Sequence, residues 1–249
     1  MALLEVRNVS RRFGQLSAVN GVSMTIEPGE LRAVIGPNGA GKTTFFNVIS
    51  GFLAPTSGQI FFDGRDITAV PVHRRVQMGM ARTFQITEIF PDLTVRENVR
   101  IAVEMALGLV RRLALSRAER EAIDARVLEL MGMADLSKHA ERRVGELAHG
   151  DQRATEIVMA IALRPRLVLL DEPTAGMGDQ ETYAITDLIA RLHRDQQLSI
   201  ILVEHDMRVV FQLAERILVL AAGAVLAEGA PAEIAANEAV QVAYLGGVE

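Results

Sequence analysis

LRAVIGPNGAGKTTFFNVIS, residues 31–50, decides the fold. LRAVI (31–35) reads as a short buried strand, and GKTTFFNVIS (41–50) as the helix that follows it. Between them, GPNGAGKTT (36–44) fits the pattern G-x-x-x-x-G-K-[ST], with Gly36, Gly41, Lys42 and Thr43 at the fixed positions. A strand before and a helix after are the context that gives this pattern its physical meaning. Glycines let the backbone wrap a phosphate, so that successive N–H groups point inward at the start of a helix. The spacing predicts that Gly36, Pro37, Asn38, Gly39, Ala40, Gly41, Lys42, Thr43 and Thr44 surround the phosphates of a nucleotide. Lys42 supplies a mobile cation for the β- and γ-phosphates, and the Thr43 hydroxyl is placed to ligate Mg²⁺.

Other segments fit around this one. LVLLD (167–171) and SIILVE (199–204) are short apolar runs suited to central strands of a parallel sheet covered on both faces. Between them, ETYAITDLIARLH (181–193) has helical spacing at Ile185, Leu188, Ile189 and Leu192. QIFFDG (59–64) ends in the turn pair Asp63-Gly64. The alternation predicts an open α/β sheet with crossover helices. LLEVRNVSRRF (3–13) and VSMTIEPGE (22–30) read as antiparallel strands, with Pro28-Gly29 as a turn. Residues 92–160 carry no strand pattern. Ser116 and Glu119 form a capping box there, followed by Ile123, Val127, Leu130 and Met131 on one helical face. The expected organisation is an α/β core from 1–91 and 161–249, with a helical subdomain, 92–160, inserted between its halves.

A nucleotide loop calls for an acid on the metal side. Asp171 closes the apolar run LVLLD, and Glu172 follows at once. Asp171 would hold Mg²⁺, directly or through water, and Glu172 would orient or deprotonate the attacking water. A second feature is ELAHGDQRATEI (146–157), a polar loop opening into a helix at Ile157, Val158 and Ile161. An ordinary helix start would explain that stretch alone; its free amides and dipole would also suit an anion.

The bulk numbers exclude several classes. The net charge of −5 argues against nucleic acid as a partner. There is no cysteine, hence no disulfide and no thiolate metal site. The N-terminal run MALLEVRNVSRRF is interrupted by Glu5 and Arg7, and no secretory signal is expected from it. The longest apolar stretch, ILVLAAGAVLA (217–227), falls short of the roughly 20 residues a membrane helix needs. His73, His139 and His193 are far apart in sequence; they are expected to be solvated and to form no Zn²⁺ site.

With these pieces in order, the chain resembles the ATP-binding subunit of ABC transporters over nearly its whole length. The resemblance implies a P-loop NTPase, RecA-like core with an N-terminal antiparallel β-subdomain and an inserted α-helical subdomain. It implies ATP and Mg²⁺ as ligands. Gln85, in RTFQITEIF, resembles the glutamine that senses Mg²⁺ and the γ-phosphate and faces the membrane partner. His205, in LVEHD, is similar to the switch histidine that contacts the γ-phosphate. Phe13, in RRFG, matches the aromatic residue that stacks on adenine, and Val19 is expected near the same base. LAHGD (147–151) falls where the family has its signature, usually LSGGQ, which closes over ATP bound to another subunit. Ala148, His149 and Gly150 would then grip phosphate in trans, without the usual serine hydroxyl. Gly178 stands where the family commonly carries Asp, with Asp179 one residue later.

GMARTFQ, FPDLTVRENV, LLDEPTAGM, VEHDM and the tail ending AYLG resemble the ATPases that import branched-chain amino acids and related amides. The partners implied are integral-membrane permeases, docking near Ile86–Pro91, a second ATPase subunit (a paralogue or this chain itself), and indirectly a periplasmic solute-binding protein. The place implied is the cytoplasmic face of the inner membrane, as a peripheral subunit. Urea, amide or aromatic-acid importers, and more distantly a lipid-export or non-transport ABC ATPase, are the alternatives.

Overall fold

The computed structural model describes residues 1–83, 89–109, 112 and 114–245. Strands β1 (Leu4–Phe13) and β2 (Leu16–Ile26) pair antiparallel, and β3 (Leu31–Ile35) leads through the glycine-rich loop into α1 (Lys42–Ser50). The hairpin β4 (Ser57–Phe62) and β5 (Arg65–Asp66) follows, then α2 (Val72–Gln77) and β6 (Met80–Arg82). Three helices come next: α3 (Val95–Ala106), α4 (Arg117–Met133) and α5 (His149–Ala162). The chain returns to the sheet as β7 (Leu167–Asp171), α6 (Asp179–Gln196), β8 (Ser199–Val203), α7 (Met207–Leu213) and the hairpin β9 (Arg216–Ala221) and β10 (Ala224–Gly229). Two short helices, α8 (Pro231–Ala235) and α9 (Glu238–Leu245), end the described chain.

These strands form two sheets. One is antiparallel, in the order β2-β1-β4-β5; the other runs β10-β9-β3-β8-β7-β6 and is parallel apart from β10. Every residue of β3, β7 and β8 is buried, as a parallel sheet covered on both faces requires. The strand period of two sorts their side chains between two cores. Val168, Leu170, Ile200 and Leu202 face the core shared with α3–α6. Leu167, Leu169, Ile201 and Val203 face the core made with α1 and the antiparallel sheet.

The apolar stretch 217–227 is the β9–β10 hairpin, reversed at Ala222 and Gly223, whose φ values of 47° and 80° are those of a tight hairpin turn. Among the described residues no helix is long and apolar enough to cross a membrane. The capping box at α4 forms: the Glu119 N–H donates to Ser116 Oγ at 3.2 Å and the Ser116 N–H donates to the Glu119 carboxylate at 2.8 Å, and Ile123, Val127, Leu130 and Met131 are buried. A second box, Thr94 with Glu97, starts α3. Strand β6 went unread in the sequence, because three residues are too few to show a period. Helix α5 runs past residue 160 to Ala162, and Arg153 within it donates to the Asp171 carbonyl at 2.8 Å.

Two histidines depart from expectation. His73 is exposed. His193 is only 19 % exposed, its ring bonded to the Leu198 carbonyl (2.8 Å) and to Glu215 (3.0 Å). His139 is equally covered and lies 3.4 Å from Asp151. Sequence separation hid both partnerships, which the helix ends bring together.

Arg75 ties the C-terminal end of α1 to the segment 67–70. Its buried guanidinium donates to five carbonyls, those of Val48, Ile49, Ile67, Thr68 and Val70. Two of these end α1, where carbonyls lack helical partners. Burial pushes the Arg75 pKa down to about 10, so the side chain remains a cation at neutral pH. Replacing Arg75 with Met strands these acceptors in the interior and is expected to cost roughly 3 kcal/mol of unfolding free energy. Chemical denaturation measures it; a change below about 0.5 kcal/mol, the range of ordinary surface substitutions, would show the contacts to be dispensable.

Candidate functional site

The carboxyl ends of β3, β7 and β8 meet at one cavity of about 460 Å³, the usual position of a ligand on an open α/β sheet. Its wall includes Asn38, Gly39, Lys42, Thr43, Glu172 and His205. Thus residues far apart in sequence share one space.

The phosphate loop has no room for side chains at two points. A Cβ on Gly36 would sit 2.1 Å from the Leu220 carbonyl oxygen, and one on Gly41 would sit 2.2 Å from that of Ala18. Gly41 also has φ +96°, and it is the N-cap of α1. No side chain caps this helix and no acid stands in its first turn, so its start keeps its positive end for an incoming anion. Lys42 is buried and folds back over the loop, its Nζ donating to the carbonyls of Gly36 (2.7 Å) and Pro37 (3.1 Å). Burial pulls its pKa down, while Glu172 and Asp171 act against that shift.

Asp171 lies buried at the end of β7. Its Oδ2 accepts from Arg82 Nη2 at 2.8 Å, and Arg82 also reaches Asn47 (2.7 Å) and Ser50 (2.8 Å) on α1. Burial raises the Asp171 pKa, and the Arg82 guanidinium opposes the rise. The other oxygen, Oδ1, is buried and has no hydrogen-bond partner among the described residues. Such an orphan costs about 1–3 kcal/mol, and a divalent cation or its water is the kind of partner that removes the cost. Thr43, exposed and with a hydroxyl oxygen to offer, lines the cavity itself, whereas Asp171 lies behind its wall. These residues fit Mg²⁺.

Glu172 adopts φ +48°, the left-handed region that costs a non-glycine residue of order 1 kcal/mol. The turn sends Glu172 to the cavity while Asp171 stays in the interior. Its carboxylate Oε1 is 2.9 Å from His205 Nε2.

Other predicted residues lie elsewhere. Ala148, His149 and Gly150 begin α5, and none of them is in the wall of the nucleotide cavity. Ala148 and Gly150 border a separate cavity with Glu181. Ala148 is the N-cap and has no side-chain cap bond, while the Gly150 N–H donates to Glu181 Oε1 at 3.0 Å. Phe13 is 44 % exposed at the end of β1, with the Arg11 guanidinium 4.7 Å from its ring centre. Val19 is a correction: it is fully buried in the core with Phe45 and Ile49, and so offers no surface to a base. Gly178 is the N-cap of α6, and Asp179 is bound to Arg208 at 3.2 Å. Gln85 and residues 86–88 of the expected groove lie outside the described residues.

The sequence reading missed Arg82, Arg153 and Glu181, whose partners are distant in sequence. It also missed Tyr244 of α9, whose phenol is pushed up by burial, an effect the Gly36 backbone opposes. No local pattern marks any of them.

The family described as ABC transporter matches residues 19–175, and the family described as branched-chain amino acid ATP-binding cassette transporter matches residues 224–249. The chain is 42% identical over 250 residues to BraF of Pseudomonas aeruginosa, a high-affinity branched-chain amino acid transport ATP-binding protein, with 98% of both chains covered. It is 40% identical over 252 residues to LivG of Escherichia coli, of the same description and coverage. Among solved structures, the ADP conformation of an ATP-binding cassette of an ABC transporter superposes with a TM-score of 0.86 at 26% identity, over 99% of each chain. A dimeric cassette in a post-hydrolysis state, bound to ADP and Pi, gives 0.77 at 27% identity, over 92% of this chain and 98% of that one. With a family match over more than half of the chain and relatives aligned along nearly all of it, the chain belongs to the ATP-binding cassette family of ABC transporters.

Proposed function

We propose that this chain is the ATP-binding and ATP-hydrolysing subunit of an importer for branched-chain amino acids or related small solutes. The single observation that carries the hydrolytic reading is the shared cavity, which sets Lys42 and the phosphate loop opposite the paired Glu172 and His205. The solute class is supported by the resemblance to BraF and LivG.

In this reading, the amides of residues 36–44 and the Lys42 ammonium hold the phosphates of ATP. Glu172 takes a proton from the attacking water, and His205 stabilises the charge that develops on the γ-phosphate. Thr43 and Asp171, with Gln85, would hold Mg²⁺, which would neutralise phosphate charge when bound. Phe13 offers an exposed ring for the adenine, once Arg11 shares or yields that face. The helix start at Ala148, His149 and Gly150 lies outside this cavity, so it would serve ATP held by a second ATPase subunit. Residues 1–91 and 161–249 would then form the nucleotide-binding part. Residues 92–160 would form the helical part that meets the integral-membrane permease. The subunit would work at the cytoplasmic face of the inner membrane, with a periplasmic solute-binding protein delivering the solute. Isolation from solubilised membranes should recover the permease; its loss while a control transporter stays intact would count against transport.

Replacing Glu172 with Gln is expected to lower kcat by roughly 10²- to 10⁴-fold, with ATP affinity nearly unchanged. Lys42→Ala should instead weaken ATP binding by roughly 10- to 100-fold, the worth of charge-assisted hydrogen bonds. Phosphate release and equilibrium nucleotide binding separate the two outcomes; normal turnover in Glu172→Gln would remove the base role. Burial lowers the Lys42 pKa, and only the cation attracts phosphate. ATP affinity should therefore fall as pH rises through the range below the ordinary lysine value, and Lys42→Arg should flatten that fall. A fluorescent ATP analogue titrated between about pH 7 and pH 10 reads this. Ala148→Ser adds a hydroxyl at an N-cap that lacks one, and should tighten ATP-dependent dimerisation by roughly fivefold, about one hydrogen bond. Sedimentation in a Glu172→Gln background measures it, and an unchanged dimer constant would take Ala148 out of the phosphate contact.

A further inference from the structure

The paired side chains Glu172 and His205 stand on different loops. Strands β7 and β8 are parallel neighbours, with Asp171 in register with Val203, and Glu172 still bonds the Val203 carbonyl at 2.9 Å. Past that point the ladder stops. The Glu172–His205 contact itself joins side chains that are 20% and 43% exposed, and such a pair contributes only about 0–1 kcal/mol in water. It is too weak to hold two loops in place.

Glu204 lies under both loops, only 3 % exposed. Its Oε1 accepts the Thr174 N–H at 2.9 Å and the Thr174 hydroxyl at 2.5 Å. Its Oε2 accepts the His205 N–H at 2.9 Å, and the Asp206 N–H lies 3.5 Å away. One oxygen therefore serves the loop after β7 and the other the loop after β8. Only an acceptor-only group with two oxygens can do this; an amide of the same shape would turn a donor toward one of the loops. Asp206 in turn is the N-cap of α7, its side chain accepting from the Arg208 N–H. The hold thus extends from the strained turn at Glu172 to the start of the helix after His205. Glu204 is not in the wall of the nucleotide cavity.

We propose that Glu204 is a positioning residue for ATP hydrolysis: its buried carboxylate staples the two loops together and so sets the separation of Glu172 and His205. The proposal rests on the roles given above to that pair. It makes Thr174 and Glu204 one unit. It also separates them from the phosphate loop, which binds ATP from the other side of the cavity.

The test uses the full chain, with steady-state ATP hydrolysis, binding of a fluorescent ATP analogue, thermal melting and amide hydrogen exchange. Glu204→Gln should lower kcat by roughly 10- to 100-fold, the effect of a misplaced catalytic group, with KM and nucleotide affinity within about twofold. Thr174→Val removes one hydroxyl and should lower kcat less. Combined with Glu204→Gln it should add little, because both act through one contact. Thr174→Val should also speed exchange across the gap, at residues 204–206, and Thr174→Ser should restore both kcat and protection. Wild-type kcat in Glu204→Gln, while Glu172→Gln and His205→Ala lose turnover, overturns the proposal and leaves the pair's roles standing. A melting loss with equal changes in kcat and affinity overturns it too, since that is general destabilisation. If Glu172→Gln and His205→Ala keep turnover, the roles of the pair fail and the proposal with them. Should Glu204→Gln not fold, the Thr174→Val and Thr174→Ser pair decides by the same readouts.

Discussion

Strands β3, β8 and β7 lie side by side and parallel, buried on both faces, and their carboxyl ends open on the same side. That arrangement is the constraint on which the rest depends. Each strand delivers one part of the chemistry within a residue or two of its end, or across one loop. The phosphate loop and Lys42 follow β3, Asp171 and Glu172 close β7, and Glu204 and His205 follow β8. Antiparallel neighbours would have sent alternate ends to opposite sides of the sheet, and no cavity would have collected them.

The charges at these ends are held apart by geometry rather than by distance in sequence. Adjacent Asp171 and Glu172 part company because Glu172 turns through a positive φ. One carboxylate stays in the interior with one oxygen against Arg82, and the other reaches the cavity and His205. Lys42 lies opposite, bonded to the carbonyls of its own loop. A phosphate entering the loop would replace these neutral acceptors with charged ones, which bind an ammonium about twice as strongly.

A different face carries the start of α5. There the Gly150 amide is held by Glu181 of the first turn of α6. In the proposed arrangement, a phosphate held by a second ATPase subunit would have to share or displace that carboxylate, and would meet no serine hydroxyl at Ala148. Arg153, three residues further along α5, ties the same helix to the Asp171 carbonyl.

What the sequence by itself determined was local. The run from Leu31 to Ser50 dictated strand, glycine loop and helix, because apolar strand residues, forced glycines and helical spacing all act within a few neighbours. The buried runs before Glu172 and Glu204, the α4 capping box and the α/β class were legible for the same reason. Positions that depend on distant partners were not. Val19 matched a base-side position along the chain, yet packing of the antiparallel sheet on α1 buried it. Arg75, Arg82, Glu181 and Glu204 look like ordinary charges in one dimension. Tertiary structure alone decided which carbonyl, carboxylate or amide each one meets, since hydrogen bonds form within about 3 Å and no sequence period carries that information across dozens of residues.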